Sequence, residues 1–379
     1  MIGPLFFQQC LSSHGMDFYA GVPDSLLKNF CACLTDTIDA RHHLIAANEG
    51  AAIGLAAGHY LATGRIPVVY MQNSGLGNTV NPLMSLMDKE VYNMPVLLLI
   101  GWRGEPGVKD EPQHVKQGKV TCSLLEAMNI RYEIMEMDET TLKGQIERVA
   151  EALYTTKEPF ALVIRKGTFD SYALPEEKES LLELSREEAI REVAAHWNQN
   201  EVTVSTTGMI SRELFEYREA TGEGHGRDFL TVGSMGHASQ IALGIALEQP
   251  ERKVCCMDGD GASIMHMGSW AIIGQSAPAN FYHILFNNGA HDSVGGQPTV
   301  GLHIDFPAIA IACGYKTVFS VTTRKELDEV LAQIDNCEAP VLLEIKVKKG
   351  ARKDLGRPTT TPIENKESLM KLLNEKKSF

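Results

Sequence analysis

The chain has 379 residues, 44% hydrophobic and 22% charged, enough for two domains of ordinary size, and no apolar run approaches a membrane span. A formal net charge of −13 argues against nucleic acid and anionic membrane as partners, so an anionic substrate would need a local cluster of Lys, Arg and His. Eight cysteines without a Cys-x-x-Cys pair or a His/Cys metal spacing point to reduced thiols in a cytoplasmic protein, and the opening residues do not read as a signal peptide.

Apolar runs alternate with helical patterns throughout, which predicts α/β architecture with parallel sheets. The first half predicts a helix over 4–13, a strand over 18–21, helices over 25–34 and 49–63, a strand over 66–71, a helix over 76–87 and a strand over 95–100. A polar loop runs on to about residue 119. A helix, a strand near 130–134, a helix over 140–154 and a strand over 160–164 follow. Residues 166–185 are charged and irregular, with Pro175 and an acidic run. Two domains, 1–168 and 188–379, are therefore expected on either side of a linker over 169–187. Such a linker is too short to hold a middle domain.

The second half predicts strands over 202–205, 254–257 and 281–286, with a Gly/Ala-rich helix after Gly236. A shift of 186 residues superimposes the two halves without a gap. Gly58 falls on Gly244, Met71 on Met257, Gly75 on Gly261 and Glu49 on Met235. The order helix–strand–helix–strand coincides, as expected for two copies of one doubly wound unit.

The strand ending at Met257 runs into Asp258-Gly259-Asp260-Gly261, and the strand ending at Phe286 into Asn287-Asn288-Gly289. Strand carboxyl ends are where parallel sheets bind ligands. A carboxylate and an amide oxygen beside glycines suit Mg²⁺ with a phosphate completing its shell. A dinucleotide fingerprint would need glycine where Ile264 stands. An EF-hand would need ligands where Ala262 and Ser269 stand. An ordinary turn is the remaining reading of the tripeptide alone.

Gly259-Asp260-Gly261 followed, 27 residues after Asp260, by Asn287-Asn288 resembles the signature of thiamine-diphosphate-dependent enzymes. The resemblance implies thiamine diphosphate and Mg²⁺ as cofactors. It implies Asp260, Asn288 and the Ala290 carbonyl as metal ligands, although either asparagine could serve. Asn48-Glu49-Gly50 resembles the family's pyrimidine-binding glutamate, which hydrogen-bonds ring nitrogen N1′. Gly233-Ser234-Met235-Gly236 resembles the turn whose bulky residue props the cofactor in a bent form and whose carbonyl accepts from its amino group. These roles carry over to Met235 and Gly233. Thr206-Thr207-Gly208 resembles the diphosphate-contacting turn, and Gly259, Gly261 and Ala262 would flank the diphosphate. The family further implies a homodimer or larger oligomer with active sites at subunit interfaces.

The compact build, Gly21-Val22-Pro23-Asp24-Ser25, Gly101-Trp102-Arg103-Gly104 and Glu111-Pro112-Gln113-His114 resemble the members that decarboxylate small 2-oxo acids with a phosphonate or sulfonate tail. Arg103, Lys109, His114, Lys116 and Lys119 fall in one predicted loop, and Ser25 at a predicted helix start could add donors for such a tail. Arg103, Lys116 and Ser25 are thus candidate substrate contacts. His114, which can titrate near neutral pH, is the first candidate for proton delivery, and Asp24 the second. A cofactor-binding, non-catalytic subunit would be marked by loss of Glu49 or the metal pair, and all are present.

Overall fold

The computed structural model describes residues 1–173, 180–197 and 201–374. The chain divides into two units, Met1–Glu177 and Lys178–Phe379. The middle of the predicted linker, 174–179, lies outside the described residues.

The first unit runs α1 (Pro4–Ser13), β1 (Tyr19–Gly21), α2 (Lys28–Thr37), β2 (His43–Ile45), α3 (Glu49–Thr63), β3 (Val68–Gln72), α4 (Leu76–Pro82), β4 (Leu97–Gly101), α5 (Pro112–Ala127), β5 (Arg131–Ile134), α6 (Glu139–Thr156) and β6 (Phe160–Ile164). Its strands pair in the order β2-β1-β3-β4-β6-β5, every pair parallel. Helices cover both faces, which is why the strands read as unbroken apolar runs. Along β3, Val68 and Tyr70 join one core cluster, and Val69 and Met71 the other.

The second unit runs α7 (Arg186–His196), β7 (Val202–Ser205), α8 (Met209–Thr221), β8 (Asp228–Leu230), α9 (Ala238–Glu248), β9 (Val254–Gly259), α10 (Asp260–Met265), α11 (Ser269–Ser276) and β10 (Phe281–Asn287). A hairpin, β11 (Ala290–His291) with β12 (Gln297–Pro298), precedes α12 (Phe306–Cys313), β13 (Thr317–Val321), α13 (Arg324–Ile334), β14 (Val341–Lys346) and α14 (Pro362–Asn374). The sheet order is β8-β7-β9-β10-β14-β13, again all parallel. Along β9, Val254 and Cys256 face one core, Cys255 and Met257 the other.

Numbered within each unit and leaving the hairpin aside, both sheets read 2-1-3-4-6-5. The repeat expected from the 186-residue shift is thus one topology used twice, with β3 starting at Val68 and β9 at Val254. All strand carboxyl ends in a unit share one edge. The winding direction reverses between β1 and β3, and between β7 and β9, and a crevice opens there.

Four expectations change. β2 and β8, three residues each, carry no period of their own; pairing with β1 and β7 makes them strands. α2 starts at Lys28, not at residue 25, because Asp24 closes a turn first. Its carboxylate accepts from the Leu26 amide at 2.9 Å and its carbonyl from the Leu27 amide at 3.1 Å. Ser25 therefore does not stand in a helix's first turn. The polar loop ends at α5, which begins at Pro112, a residue suited to the first helical position. α5 lies backbone to backbone on the turn at Gly104, whose φ is +68°. A Cβ on Gly118 would come within 1.7 Å of the Gly104 carbonyl oxygen. Finally, Leu184 and Ser185, inside the predicted linker, already belong to the second unit. Leu184 is buried in its core, and Ser185 caps α7 in a reciprocal pair with Glu188.

Candidate active site

Glu49 opens α3 at the carboxyl end of β2. Asn48 caps the helix, its side-chain oxygen accepting from the Ala51 amide at 2.9 Å. Glu49 is turned inward and is 5% exposed. Its Oε2 accepts from Asn78 Nδ2 of α4 at 2.7 Å. A Cβ on Gly75, just after β3, would stand 2.1 Å from Oε1, so only glycine leaves space for the carboxyl. A first-turn glutamate serving only the helix dipole has no need of burial or of a glycine wall.

Asp24 and Gln72 meet across the reversal point between β1 and β3. Gln72 Nε2 donates to Asp24 Oδ1 at 2.6 Å. Burial pushes the Asp24 carboxyl above its ordinary range, against the hydrogen bonds from Gln72 and the Leu26 amide. A Cβ on Gly101, at the end of β4, would come within 2.2 Å of Asp24 Oδ2.

Arg103 follows β4. Asp110 holds one edge of its guanidinium, accepting from Nε and Nη2 at 2.8 and 2.5 Å, and Nη1 donates to Ser25 Oγ at 2.8 Å. Asn73 pins the Arg103 backbone through its own amide group at 3.1 and 2.8 Å. Two candidate substrate contacts, Ser25 and Arg103, are thus brought together beside Asp24. Lys116 and Lys119 are not; both lie exposed on α5 rather than in a loop. Sequence reasoning named none of Asp110, Asn73, Gln72 and Asn78 as site residues. For Gln72, Asn73 and Asn78, the available signal was their place at or after the carboxyl end of β3, at the shared edge.

His114 corrects an expectation. It is buried on α5, and burial together with the Arg103 charge pushes its imidazole down to about 4. At neutral pH it is neutral and does not titrate, so it can donate or accept a hydrogen bond but is no acid reservoir. Its Nδ1 has no hydrogen-bond partner among the described residues. A folded-state value below the ordinary value of about 6.5 means that protons favour the unfolded chain. The stability linked to His114 is intact above about 6.5 and is lost as pH falls toward about 4. His114→Gln should therefore flatten the fall in melting temperature between those values. Equal acid sensitivity in variant and parent would contradict a buried, neutral His114.

In the second unit, β9 ends at Gly259 and Asp260 begins α10. Asp258 shapes the turn, accepting from the Gly259 amide at 2.9 Å and Ser263 Oγ at 2.8 Å. Asp260 is 2% exposed and takes a short hydrogen bond from the Thr299 hydroxyl. Burial pushes its carboxyl up to about 6; the Thr299 bond opposes the rise and the charge of Asp292 adds to it. None of the ion pairs among the described residues includes Asp260.

Asn287 donates Nδ2 to the Gly301 carbonyl at 2.8 Å and to Glu344 Oε1 at 2.7 Å. Its Oδ1 and Asp260 Oδ2 converge on Gly301, where a Cβ would stand 2.7 and 2.5 Å from them. Asn288 donates Nδ2 to Asp292 at 2.7 Å, and its Oδ1 accepts from the Ala290 amide at 3.1 Å. Asn287 thus faces the carboxylate, and Asn288 is tied into the following turn with Ala290.

Thr206, Thr207 and Gly208 follow β7 at the reversal point. Gly208, at φ 101° and ψ −135°, adopts a backbone open only to glycine and starts α8. Thr206 is buried, lies beside Gly259, and its Oγ1 has no hydrogen-bond partner among the described residues. Gly233 and Met235 lie in the turn before α9, where Ser234 and Gly236 have positive φ. Met235 Cε comes within 3.5 Å of a Cβ built on Gly261, and His291 Cε1 within 2.7 Å. Ala262 is buried on α10. His291, Thr299, Gly301 and Asp292 escaped sequence reasoning, although three of them fall in the run from Asn287 to Thr299.

A hard divalent cation fits this donor set. A buried carboxylate without a cationic partner among the described residues, with an amide oxygen beside it, forms an uncompensated negative site. The orphaned Thr206 hydroxyl, at the reversal point beside Gly259, is a donor suited to an anion bound with the cation.

Residues 5–124 match the N-terminal TPP binding domain of thiamine pyrophosphate enzymes, and residues 206–345 the C-terminal TPP binding domain. The chain is 34% identical to a phosphonopyruvate decarboxylase of Streptomyces viridochromogenes over 96% of its own length and 93% of that protein's. It is 34% identical to the Streptomyces hygroscopicus phosphonopyruvate decarboxylase, covering 93% of this chain and 90% of that one. A sulfopyruvate decarboxylase of Methanosarcina acetivorans is 27% identical over 90% of each chain. With both halves of its length matched, the chain belongs to the thiamine pyrophosphate enzyme family, and its cofactor is thiamine diphosphate.

Proposed function

We propose that this protein decarboxylates 3-phosphonopyruvate to phosphonoacetaldehyde and CO₂, with thiamine diphosphate and Mg²⁺, as a step in phosphonate biosynthesis. The observation that carries the reading is 34% identity to two phosphonopyruvate decarboxylases over nearly the whole of both chains. A second reading, sulfopyruvate as substrate, is favoured by the 27% identity to a sulfopyruvate decarboxylase over 90% of each chain.

Thiamine diphosphate, when bound, supplies the nucleophilic carbon and electron sink that let a 2-oxo acid lose CO₂. The first unit would bind the pyrimidine ring, and Glu49 would supply a buried carboxyl to hydrogen-bond its N1′. The second is the diphosphate- and metal-binding domain. Asp260, Asn288 or its neighbour Asn287, and the Ala290 carbonyl would hold Mg²⁺. Thr206, Thr207, Gly208, Gly259, Gly261 and Ala262 border the diphosphate. Gly233 and Met235 orient the cofactor, Met235 by bulk beside Gly261. Ser25 and Arg103 bind the anionic tail, with Asp110 keeping the guanidinium in one orientation. Asp24, held above its ordinary range, delivers a proton, and His114 contributes a neutral hydrogen-bonding ring. Lys116, exposed on α5, is at most a peripheral contact.

The working form is at least a homodimer with active sites at subunit interfaces. In support, α3 shows solvent a face of Gly54, Leu55 and Gly58, where an added Cβ at either glycine would meet nothing within 4 Å. A cytoplasmic site of action belongs to the same proposal; all eight cysteines are free, and no helix among the described residues is long and apolar enough to cross a membrane.

The test is CO₂ release from phosphonopyruvate, sulfopyruvate and pyruvate, with and without thiamine diphosphate and Mg²⁺. Phosphonopyruvate should be turned over best, and only with both cofactors. Preference for sulfopyruvate would select the second reading, and no release from any of the three would overturn both.

A further inference from the structure

Arg186, the first residue of α7, is 5% exposed. Its Nε and Nη2 donate to the two oxygens of Glu213 at 2.8 and 2.9 Å, a complete and neutral bidentate pair. Nη1 nevertheless reaches Asp292 Oδ2 at 2.6 Å. That oxygen also accepts from Asn288 Nδ2 at 2.7 Å and from the Gly350 amide at 3.0 Å. Burying a second carboxylate beside a pair that is already neutral is costly.

We propose that Arg186 and Asp292 are positioning residues that lock the loop after β10 in the form that receives the divalent cation. The proposal rests on the reading of Asp260 as a metal ligand. An asparagine amide can present either end to a ligand. Asp292 takes the nitrogen of Asn288 and thereby fixes where its oxygen points; Arg186 fixes Asp292. Glu344 and the Gly301 carbonyl do the same for Asn287. Both asparagines are therefore oriented before any cation arrives. The Gly350 amide ties the stretch after β14 into the same oxygen, so one carboxylate joins three segments of the second unit.

Partners of metal ligands typically change affinity by about 10–100-fold when removed. Mn²⁺ affinity, read by electron paramagnetic resonance on the full-length protein in saturating thiamine diphosphate, is the measurement. Asp292→Asn and Arg186→Met should each weaken Mn²⁺ by about that factor. Excess Mg²⁺ should restore turnover in both. Arg186→Lys, which keeps the charge and one hydrogen bond, should lie between parent and Arg186→Met, and covers the case in which Arg186→Met fails to fold. A merely structural role predicts the opposite pattern: lower melting temperatures in EDTA with parental Mn²⁺ affinity in the folded protein, and that result would overturn the proposal. Asp260→Ala is the control. If it binds Mn²⁺ as the parent does, the metal reading itself is wrong and the proposal goes with it. If Asp260→Ala loses the metal while Asp292→Asn keeps parental affinity, only the positioning role is wrong.

Discussion

Glu49→Gln is expected to lower kcat by about 10²–10⁴-fold, the range of a lost general acid–base contribution. The substitution is nearly isosteric, and the amide oxygen can still accept from Asn78, as Glu49 Oε2 does at 2.7 Å. The helix cap at Asn48 does not involve the Glu49 side chain. Fold and cofactor binding should therefore survive, since the diphosphate is assigned to the other unit. What fails is proton exchange with N1′, so exchange of the cofactor's C2 hydrogen for deuterium should slow in parallel with turnover. A glutamate serving only the helix dipole predicts a loss of at most about 1 kcal/mol in stability with near-parental turnover. Quenched NMR of C2 exchange beside a thermal melt separates the two. Parental exchange with a lowered melting temperature would reduce Glu49 to a residue of the helix start.

Asp260→Ala is expected to abolish Mg²⁺-dependent binding of thiamine diphosphate. It removes the one carboxylate that lines the space at Gly301 with Asn287 Oδ1 and leaves the diphosphate poorly neutralised. The free protein should not suffer in step. Burial already pushes the Asp260 carboxyl up to about 6, so ionised Asp260 opposes folding at neutral pH. The variant without ligands should melt at or above the parental temperature. In the parent, a ligand at a hundredfold excess over its Kd adds about 2.7 kcal/mol of stability. The variant should lose that increment. Melts with and without thiamine diphosphate and Mg²⁺ read both effects. A parental, Mg²⁺-dependent shift in the variant would show that Asp260 does not hold the metal.

The fold class was determined by the sequence itself. Alternation of apolar runs with helical patterns is local, and a strand buried on both faces writes its period directly into the chain, as β3 and β9 do. The 186-residue offset worked because β3 and β9 are central strands with equivalent neighbours. A glycine-flanked acid at the end of β9 marked Asp260, because it lies next to the pattern that announces it; Glu49 was reached through the resemblance of Asn48-Glu49-Gly50 alone.

What only the tertiary structure decided lies at edges and in approaches between distant segments. β2 and β8 are strands because a neighbour pairs with them. α5 lies against the turn at Gly104 because Gly118 and Gly104 allow two backbones to touch, and that contact buries His114 and takes its titration out of the neutral range. Whether Arg103 is a free cation or one gripped by Asp110 depends on how the turn between them closes. Asn287 Oδ1 and Asp260 Oδ2 converge on one point because Gly301, fourteen positions beyond Asn287, lacks a side chain. Charge, burial and hydrogen-bond direction are properties of neighbours in space, and residues far apart in the chain acquire those neighbours only when it folds.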